Sequence, residues 1–354
     1  MSELIEGLEI SDFQSLYFDK DALREPAYKL KRVDFEGARW YYTIIDGQIY
    51  WSISTTGLLD KTLAKPIELL KYIASFGSWE AYRSEMKRLA AYGTAMHAAI
   101  ESYILGTFDL SYKNVVELLT KYNALYDEEN IKKLRKDVLA IAQFCIDKDV
   151  KPLAVEVMVF DPMTKVAGTI DLLCEMTFNK KRIIALVDFK SGRNGFYETH
   201  KLQLHIYKRL CAVQFPEIHI DKLFNLAPKE WREEPSYTLK DQTGTSDFKI
   251  DHLLAMYHHD YPVIGPKDIR VFNGTAEFGK PIGNLYSRVD AEEFVRRNDE
   301  YFKNQYVTLN NVTKKHDSQE YESYDPFVAD NGNPFANVKA KEDKKELVDS
   351  FLDF

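Results

Sequence analysis

The stretch Val166-Ala-Gly-Thr-Ile-Asp-Leu-Leu-Cys-Glu-Met176, followed after Asn179-Lys180-Lys181 by Ile183-Ile-Ala-Leu-Val-Asp-Phe-Lys-Ser191, decides the reading of this chain. Both runs are rich in β-branched and apolar residues, and a polar turn separates them, so they read as consecutive strands. Strand side chains alternate faces, so Asp188 and Lys190 project together, while Ile183, Ala185, Val187 and Phe189 fill the other face. On the partner strand Thr169, Asp171 and Leu173 share a face. If the two strands are neighbours, Asp171 and Asp188 converge with Lys190 beside them.

Working outward, Leu153 to Phe160 is a further strand, closed by the turn Asp161-Pro162-Met163-Thr164. An amphipathic helix is expected over Glu198–Gln214, with Leu202, Ile206, Leu210 and Val213 inward, and another strand over Ile218–Leu226. Upstream, Met86, Leu89, Gly93, Met96, His97, Ile100 and Ile104 recur at three- and four-residue steps, the mark of one buried helical stripe. His97 lies on it, and Glu101 follows at i+4, within reach of the imidazole. Asp46-Gly47 between Trp40-Tyr41-Tyr42 and Tyr50-Trp51 marks a hairpin. Ser54-Thr55-Thr56 offers an N-cap for the helix that follows. The order helix, three strands, helix, strand implies an α/β core with a mixed sheet. Residues 229–285 read as appended strands and loops, with short β-like pieces at Ser236–Leu239 and Phe248–Ile250. Residues 287–306 read as helical.

The chain has 354 residues, 45% hydrophobic and 29% charged, with formal net charge −8. That composition is globular, and the charge excludes a globally basic nucleic-acid coat but not a local basic groove. The longest strongly apolar run, Ile183 to Val187, is far short of a membrane span. The acidic N-terminus lacks the pattern of a signal or transit peptide. Cys145, Cys174 and Cys211 are isolated and odd in number, which suits a reducing cytoplasm better than a disulfide framework. Three thiols also fall short of the four a typical iron–sulfur cluster uses.

Four pieces carry the chemistry: Gly93-Thr94-x-x-His97-x-x-x-Glu101 on a helix, Gly168-Thr169-Ile170-Asp171 on a strand, Asp188-Phe189-Lys190 on the next, and Gln203-x-x-x-Tyr207 on the following helix. Glu156 among Val155, Val157 and Val159 is a fifth candidate, unless it sits on an exposed strand face. Singly, each has a bland reading: Asp-x-Lys as a solvated strand edge, His97 as a satisfied core histidine. Together, with apolar strands around the acids, they are harder to explain, because a buried charge is costly without a partner or a metal. Two carboxylates and an imidazole suit Mg²⁺ or Mn²⁺. A cation so held can acidify an attacking water and neutralise charge on a phosphate, with Lys190 beside it.

In order and spacing these motifs resemble the RecB-type branch of the PD-(D/E)XK nuclease superfamily, over roughly residues 52–226. The branch includes AddB-like nuclease domains and the mitochondrial genome-maintenance exonuclease. The resemblance implies a restriction-endonuclease-like core: a central mixed sheet flanked by helices, with an N-terminal helical region and a C-terminal acidic tail. It implies a metal-dependent DNA nuclease, with an exonuclease of recombination, repair or replication as the leading expectation. The alternatives are a structure-selective endonuclease on the same fold, or an inactive DNA-binding scaffold. His97, Asp171 and Asp188 match the metal ligands, with the Phe189 carbonyl as a further one, and Lys190 matches the catalytic lysine. Glu156 matches an acidic residue of the first core strand. Gln203 and Tyr207 match the motif on the helix beside the site, which supports Lys190 and binds the nucleic-acid backbone, and Ser54 and Thr55 match a segment that touches phosphate. Two features depart from the pattern: Ile170 stands where a proline is usual, and the cluster cysteines of some members are missing. No Walker A motif is present. Without a presequence, a bacterial or phage-infected cell is the expected setting.

Substrate contacts are expected from a basic rim of Lys180, Lys181, Arg182, Arg193, His200, Lys201, His205, Lys208 and Arg209, unless these are ordinary solvated residues. The expected organisation is 1–150 as hairpin and helical region, 151–226 as catalytic core, 227–315 as appended elements, and 316–354 as tail. The tail has ten acidic residues against four lysines, with aromatics throughout. Leu347, Val348, Phe351 and Leu352 fall at helix spacing, which suggests a segment docking on a single-strand-binding or replication protein. The alternatives are a tail that blocks the basic cleft and a helix packed on its own domain.

Overall fold

The computed structural model describes residues 26–261 apart from short interruptions at 36–37, 46–47, 108, 193–195 and 245–246, together with residues 4–5, 8–9, Leu23 and Gly265. The expected helix over 287–306, the acidic tail and Arg193 lie outside the described residues.

Two short strands, β1 (Leu4–Ile5) and β2 (Leu8–Glu9), pair with each other. An antiparallel meander follows: β3 (Lys31–Phe35), β4 (Ala38–Ile45) and β5 (Gln48–Ser54). Five helices come next: α1 (Thr55–Thr62), α2 (Ile67–Ala74), α3 (Trp79–Ile104), α4 (Tyr112–Lys121) and α5 (Glu128–Asp147). Then come β6 (Lys151–Asp161), β7 (Val166–Phe178) and β8 (Lys181–Phe189), α6 (Glu198–Gln214), β9 (Lys222–Pro228), β10 (Tyr237–Asp241) and α7 (Asp247–Asp260).

The strands other than β1 and β2 form one mixed sheet in the order β10-β9-β8-β7-β5-β4-β3, with β6 paired to β7. Pairing is parallel for β5 with β7 and for β8 with β9, and antiparallel elsewhere. The β7–β8 hairpin turns on Asn179 and Lys180, at φ 50° and 64°. Positive φ at both central residues is the geometry whose twist matches that of the strands.

β7 organises the site. Along one edge it pairs with β6 from Val166 to Glu175. Its other edge is divided: β5 takes Val166 and Ala167, and β8 takes Leu172 to Phe178. Between these partners Gly168 to Asp171 lie in a fork, where β5 and β8 part and both helical layers can reach the strand.

One layer, of α3, α4 and α5, packs Met96, Ile100, Val138 and Ile141 onto Leu172, Val187 and Phe189. The other, of α1, α6 and α7, packs Leu58, Leu202, Ile206 and Leu253 onto Ile170, Leu173, Leu186 and Leu223. The mixed sheet covered on both faces is thus the expected α/β arrangement.

Four expectations are corrected, the first being Val213, which is exposed on α6 rather than turned inward. Phe248–Ile250 is not β-like but lies in α7. There Ile250, Leu253, Leu254 and Tyr257 are buried at helical spacing, a periodicity that outweighs the local aromatic and β-branched residues. The strand expected from Ile218 begins at Lys222, because Ile218 first closes a turn on the Phe215 carbonyl. Leu89 is exposed rather than on the buried stripe of α3, whose buried positions after Tyr82 run only from Tyr92 to Ile104.

Candidate active site

The fork gathers residues from five elements. α3 brings His97, whose Nδ1 lies 3.5 Å from Asp171 Oδ1 on β7 and 3.8 Å from Glu156 Oε1 on β6. Ligand atoms of these three all lie within 4.8 Å of one another. Asp171 is further fixed by the Phe189 backbone N–H, which donates to its Oδ2 at 2.6 Å. Glu156 reaches the group from φ 50° in the middle of a strand, a conformation a non-glycine residue rarely adopts.

Beside this triad, β8 ends in a second pair. Asp188 is almost wholly buried, and its Oδ2 lies 2.7 Å from Lys190 Nζ. Lys190 also donates to Gln203 Oε1 at 3.1 Å, and Gln203 Nε2 donates to the Tyr207 hydroxyl at 2.9 Å. The i, i+4 spacing on α6 therefore builds one chain of hydrogen bonds, Tyr207 to Gln203 to Lys190, that aims the ammonium.

Gly168 makes this possible. A Cβ there would overlap Tyr207 Cε1 and lie 3.0 Å from Cδ1 and 3.1 Å from Thr55 Oγ1. The glycine lets the Tyr207 ring lie against β7. On the other layer, a Cβ at Gly93 would lie 3.2 Å from Ser191 Oγ, so the α3 glycine lets the end of β8 approach the helix.

The electrostatics follow from burial opposed by neighbours. Burial disfavours the charged His97, but Asp171 and then Glu156 outweigh it and hold the imidazole up at about 10. Burial likewise opposes the Asp171 charge, yet His97, Lys190 and the Phe189 N–H hold its carboxyl below the usual range. Asp188 goes the other way: burial, opposed by Lys190 and reinforced by Asp171, pushes it up to about 6. Burial first, then Tyr41 and Asp188, raises Tyr207 well above the phenol range, so it acts as a neutral hydroxyl.

Not every expected residue joins the site as foreseen. Glu101 does not orient His97, whose nitrogen faces Asp171 and Glu156 instead. Glu101 is raised by burial and by the Glu156 charge. Ser54 and Thr55 are buried, and their hydroxyls serve the fold. Ser54 Oγ accepts from the Gly57 N–H at 3.0 Å, capping α1, and Thr55 Oγ1 donates to the Ala167 carbonyl at 3.1 Å. Lys201 is half-buried on the first turn of α6.

The basic rim is not one rim. Lys181 and Arg182 begin β8, roughly 20 Å from Asp188 at about 3.3 Å per residue. Arg182 is paired with Asp149 and Glu175, and Arg209 with Asp247 and Asp251. Burial and neighbouring lysines lower the pKa of His200, to about 3, and of His205, so neither adds positive charge at neutral pH.

Sequence reasoning missed Asn225 on β9, which stands in register with Asp188 and donates to its Oδ2 at 2.7 Å. The signal was present: one amide inside the apolar run Leu223-Phe-Asn-Leu-Ala227.

The donor set fits a divalent cation. Two carboxylate oxygens and an imidazole nitrogen converge, and the proton that the acids force onto His97 marks a place that favours positive charge. His97, Glu156 and Asp171 could hold such an ion.

A mixed sheet between two helical layers, with an acid-and-lysine site at the fork of its central strands, is a restriction-endonuclease-like fold. The family model of the PD-(D/E)XK nuclease superfamily matches residues 69–235, which include His97, Glu156, Asp171, Asp188, Lys190, Gln203 and Tyr207. Over these residues the chain is similar to the PD-(D/E)XK nuclease superfamily, and the match supports a nuclease that acts on DNA. No curated protein matches the sequence. Among the described residues no helix is long and apolar enough to cross a membrane.

Proposed function

We propose that the chain is a Mg²⁺- or Mn²⁺-dependent deoxyribonuclease, an exonuclease that hydrolyses phosphodiester bonds in recombination, repair or replication. The observation that carries the reading is the placing of the His97–Glu156–Asp171 triad beside the buried Asp188–Lys190 pair. A bound divalent cation would supply Lewis acidity at the scissile phosphate and lower the pKa of the attacking water.

The chain's own residues do the rest. His97, Glu156 and Asp171 form the ligand wall, with Asp188 behind it. Lys190, one-fifth exposed and held by Gln203, presents its ammonium to the phosphate oxygens or to the incoming water, where charge develops. Tyr207 and Gln203 position Lys190 beside the nucleic-acid backbone. Lys201 and Arg193 are proposed to meet the DNA backbone, and residues 316–354 to dock a single-strand-binding or replication protein. The chain is proposed to work in the cytoplasm of a bacterial or phage-infected cell, and to be organised as 1–150, 151–226, 227–315 and 316–354.

The test compares end-labelled linear DNA with covalently closed circular DNA, with Mg²⁺, with Mn²⁺ and with EDTA. An exonuclease degrades only the linear substrate, and only with metal. Asp188→Asn and Lys190→Ala should each lower the rate at least 100-fold while the protein stays folded. Cleavage of the circle would assign an endonuclease. Undiminished cleavage by both variants would remove this site from the reaction.

A further inference from the structure

Asp188 is held by more than its lysine. Its Oδ2 accepts from Lys190 Nζ and from Asn225 Nδ2, each at 2.7 Å, and no described donor reaches Oδ1. Asn225 is itself fully buried, and its Oδ1 accepts from Gln242 Nε2 at 3.0 Å. That contact fixes which way the Asn225 amide faces: its oxygen is occupied, so its nitrogen points at the carboxylate. Gln242 is fastened in turn by its backbone, whose carbonyl lies 2.8 Å from His205 Nε2 on α6 and whose N–H donates to the Leu223 carbonyl at 2.8 Å. A connected polar chain therefore runs from α6, through the segment after β10 and across β9, to one oxygen of Asp188.

An apolar side chain at position 225 would suit its surroundings, since Leu223 and Ala227, which share its face of β9, are buried and the strand is buried throughout its middle. A buried amide there is costly unless its hydrogen bonds are met, and here both ends are met. Its geometry bears on the one carboxylate that the metal triad leaves out.

We propose that Asn225, oriented by Gln242, is a positioning residue for metal loading: it anchors Oδ2 of Asp188 so that Oδ1 is presented to the cation held by His97, Glu156 and Asp171. The inference rests on the metal-nuclease reading of the site. Asn225 also shares the work of holding Asp188, which leaves the Lys190 ammonium free to turn to phosphate. Residues that orient a ligand through a hydrogen bond typically govern metal affinity by 10- to 100-fold.

The test uses the full chain. Asn225→Leu removes the donor at similar size, and Asn225→Ser keeps a polar group too short to reach Asp188. Mn²⁺ binding is measured by calorimetry without DNA, kcat and KM on linear DNA, and Tm as the check on folding. Both variants should weaken Mn²⁺ binding at least 10-fold and lower kcat by a similar factor, with KM for DNA within threefold. Gln242→Leu, one bond further out, should weaken Mn²⁺ binding about threefold and carries the test with Asn225→Ser if Asn225→Leu fails to fold. A folded Asn225 variant with Mn²⁺ binding and kcat within twofold of the parent overturns the proposal, even if its Tm falls. Asp188→Asn separates the two failures. Unchanged cleavage there and in Lys190→Ala removes the metal-nuclease reading of the site and this inference with it. Losses there, with parental behaviour in the Asn225 variants, remove the inference alone.

Discussion

Gly168→Ala is a one-carbon change whose consequence follows from the packing. In a strand, glycine to alanine should help stability by roughly 0.5–1 kcal/mol, because alanine has less backbone freedom to lose. At Gly168 the new methyl would overlap Cε1 of Tyr207 and lie 3.0 Å from Cδ1. The ring cannot swing clear: Tyr207 is 5% exposed and its hydroxyl is bonded to Gln203. Overpacking of a well-filled core costs about 1–3 kcal/mol, so the sign reverses and a net loss of about 1 kcal/mol is expected. For a domain of this size that is a Tm lower by about 2–4 °C. The displaced ring also pulls on Gln203 and so on Lys190, and cleavage should fall at least 10-fold. Urea denaturation followed by circular dichroism gives the energy, and initial rates on labelled DNA give the activity. A cycle with Tyr207→Ala isolates the cause, since without the ring the alanine at 168 should cost less than about 0.5 kcal/mol. Equal penalties in both backgrounds, or a Gly168→Ala protein as stable as the parent, would refute the argument.

Other expectations are more direct. Glu156→Gln should lower metal-dependent cleavage at least 10-fold, whereas Glu101→Gln should leave it within threefold; the reverse ranking in initial-rate assays would return the role of His97's partner to Glu101. Asp60 is raised from 3.8 to about 6, chiefly by burial, against the pull of Lys65. A carboxyl raised on folding contributes stability at pH below about 4 that is lost as pH climbs through about 6. Asp60→Asn should therefore raise Tm at pH 7.5 and bring no gain at pH 4. With a third of the side chain in solvent, the gain is on the order of 1 kcal/mol, or a few degrees by calorimetry.

Much of the site was legible because strand alternation and helical spacing are local rules. Asp188 and Lys190 share a face by their spacing alone, and Gln203 and Tyr207 meet because they stand one helical turn apart. What was not legible depended on contacts between distant segments. The i+4 rule permitted Glu101 to meet His97, but Glu156 and Asp171, both far along the chain, take the imidazole. Thr55 offers a hydroxyl in a segment expected to touch phosphate, yet it is spent on the Ala167 carbonyl once β5 docks beside β7. The basic residues of β8 and α6 are near in sequence, but β8 is long enough to carry Arg182 to the opposite end of the strand. Asn225 was overlooked because a single amide in an apolar strand has no period to mark it.

The strain at Glu156 ties these observations together. β6 pairs Val155 with Leu172 and Val157 with Ile170, and between them Glu156 sits at φ 50°. A left-handed residue that is not glycine costs about 1–2 kcal/mol, which a regular strand would not retain without a compensating gain. Among the described residues, the carboxylate reaches by this turn His97 and, through it, Asp171, together with the like charge of Glu101. Strain and carboxylate repulsion thus fall on the same spot, and a proton on His97 is the relief available from the chain itself. A divalent cation would answer the same repulsion with twice the charge, and it would bind to a ligand set whose geometric cost the fold has already met. The distortion of β6 is on this argument part of the site rather than a defect of the sheet, placed where the fork of β7 opens and where both helical layers deliver their polar residues.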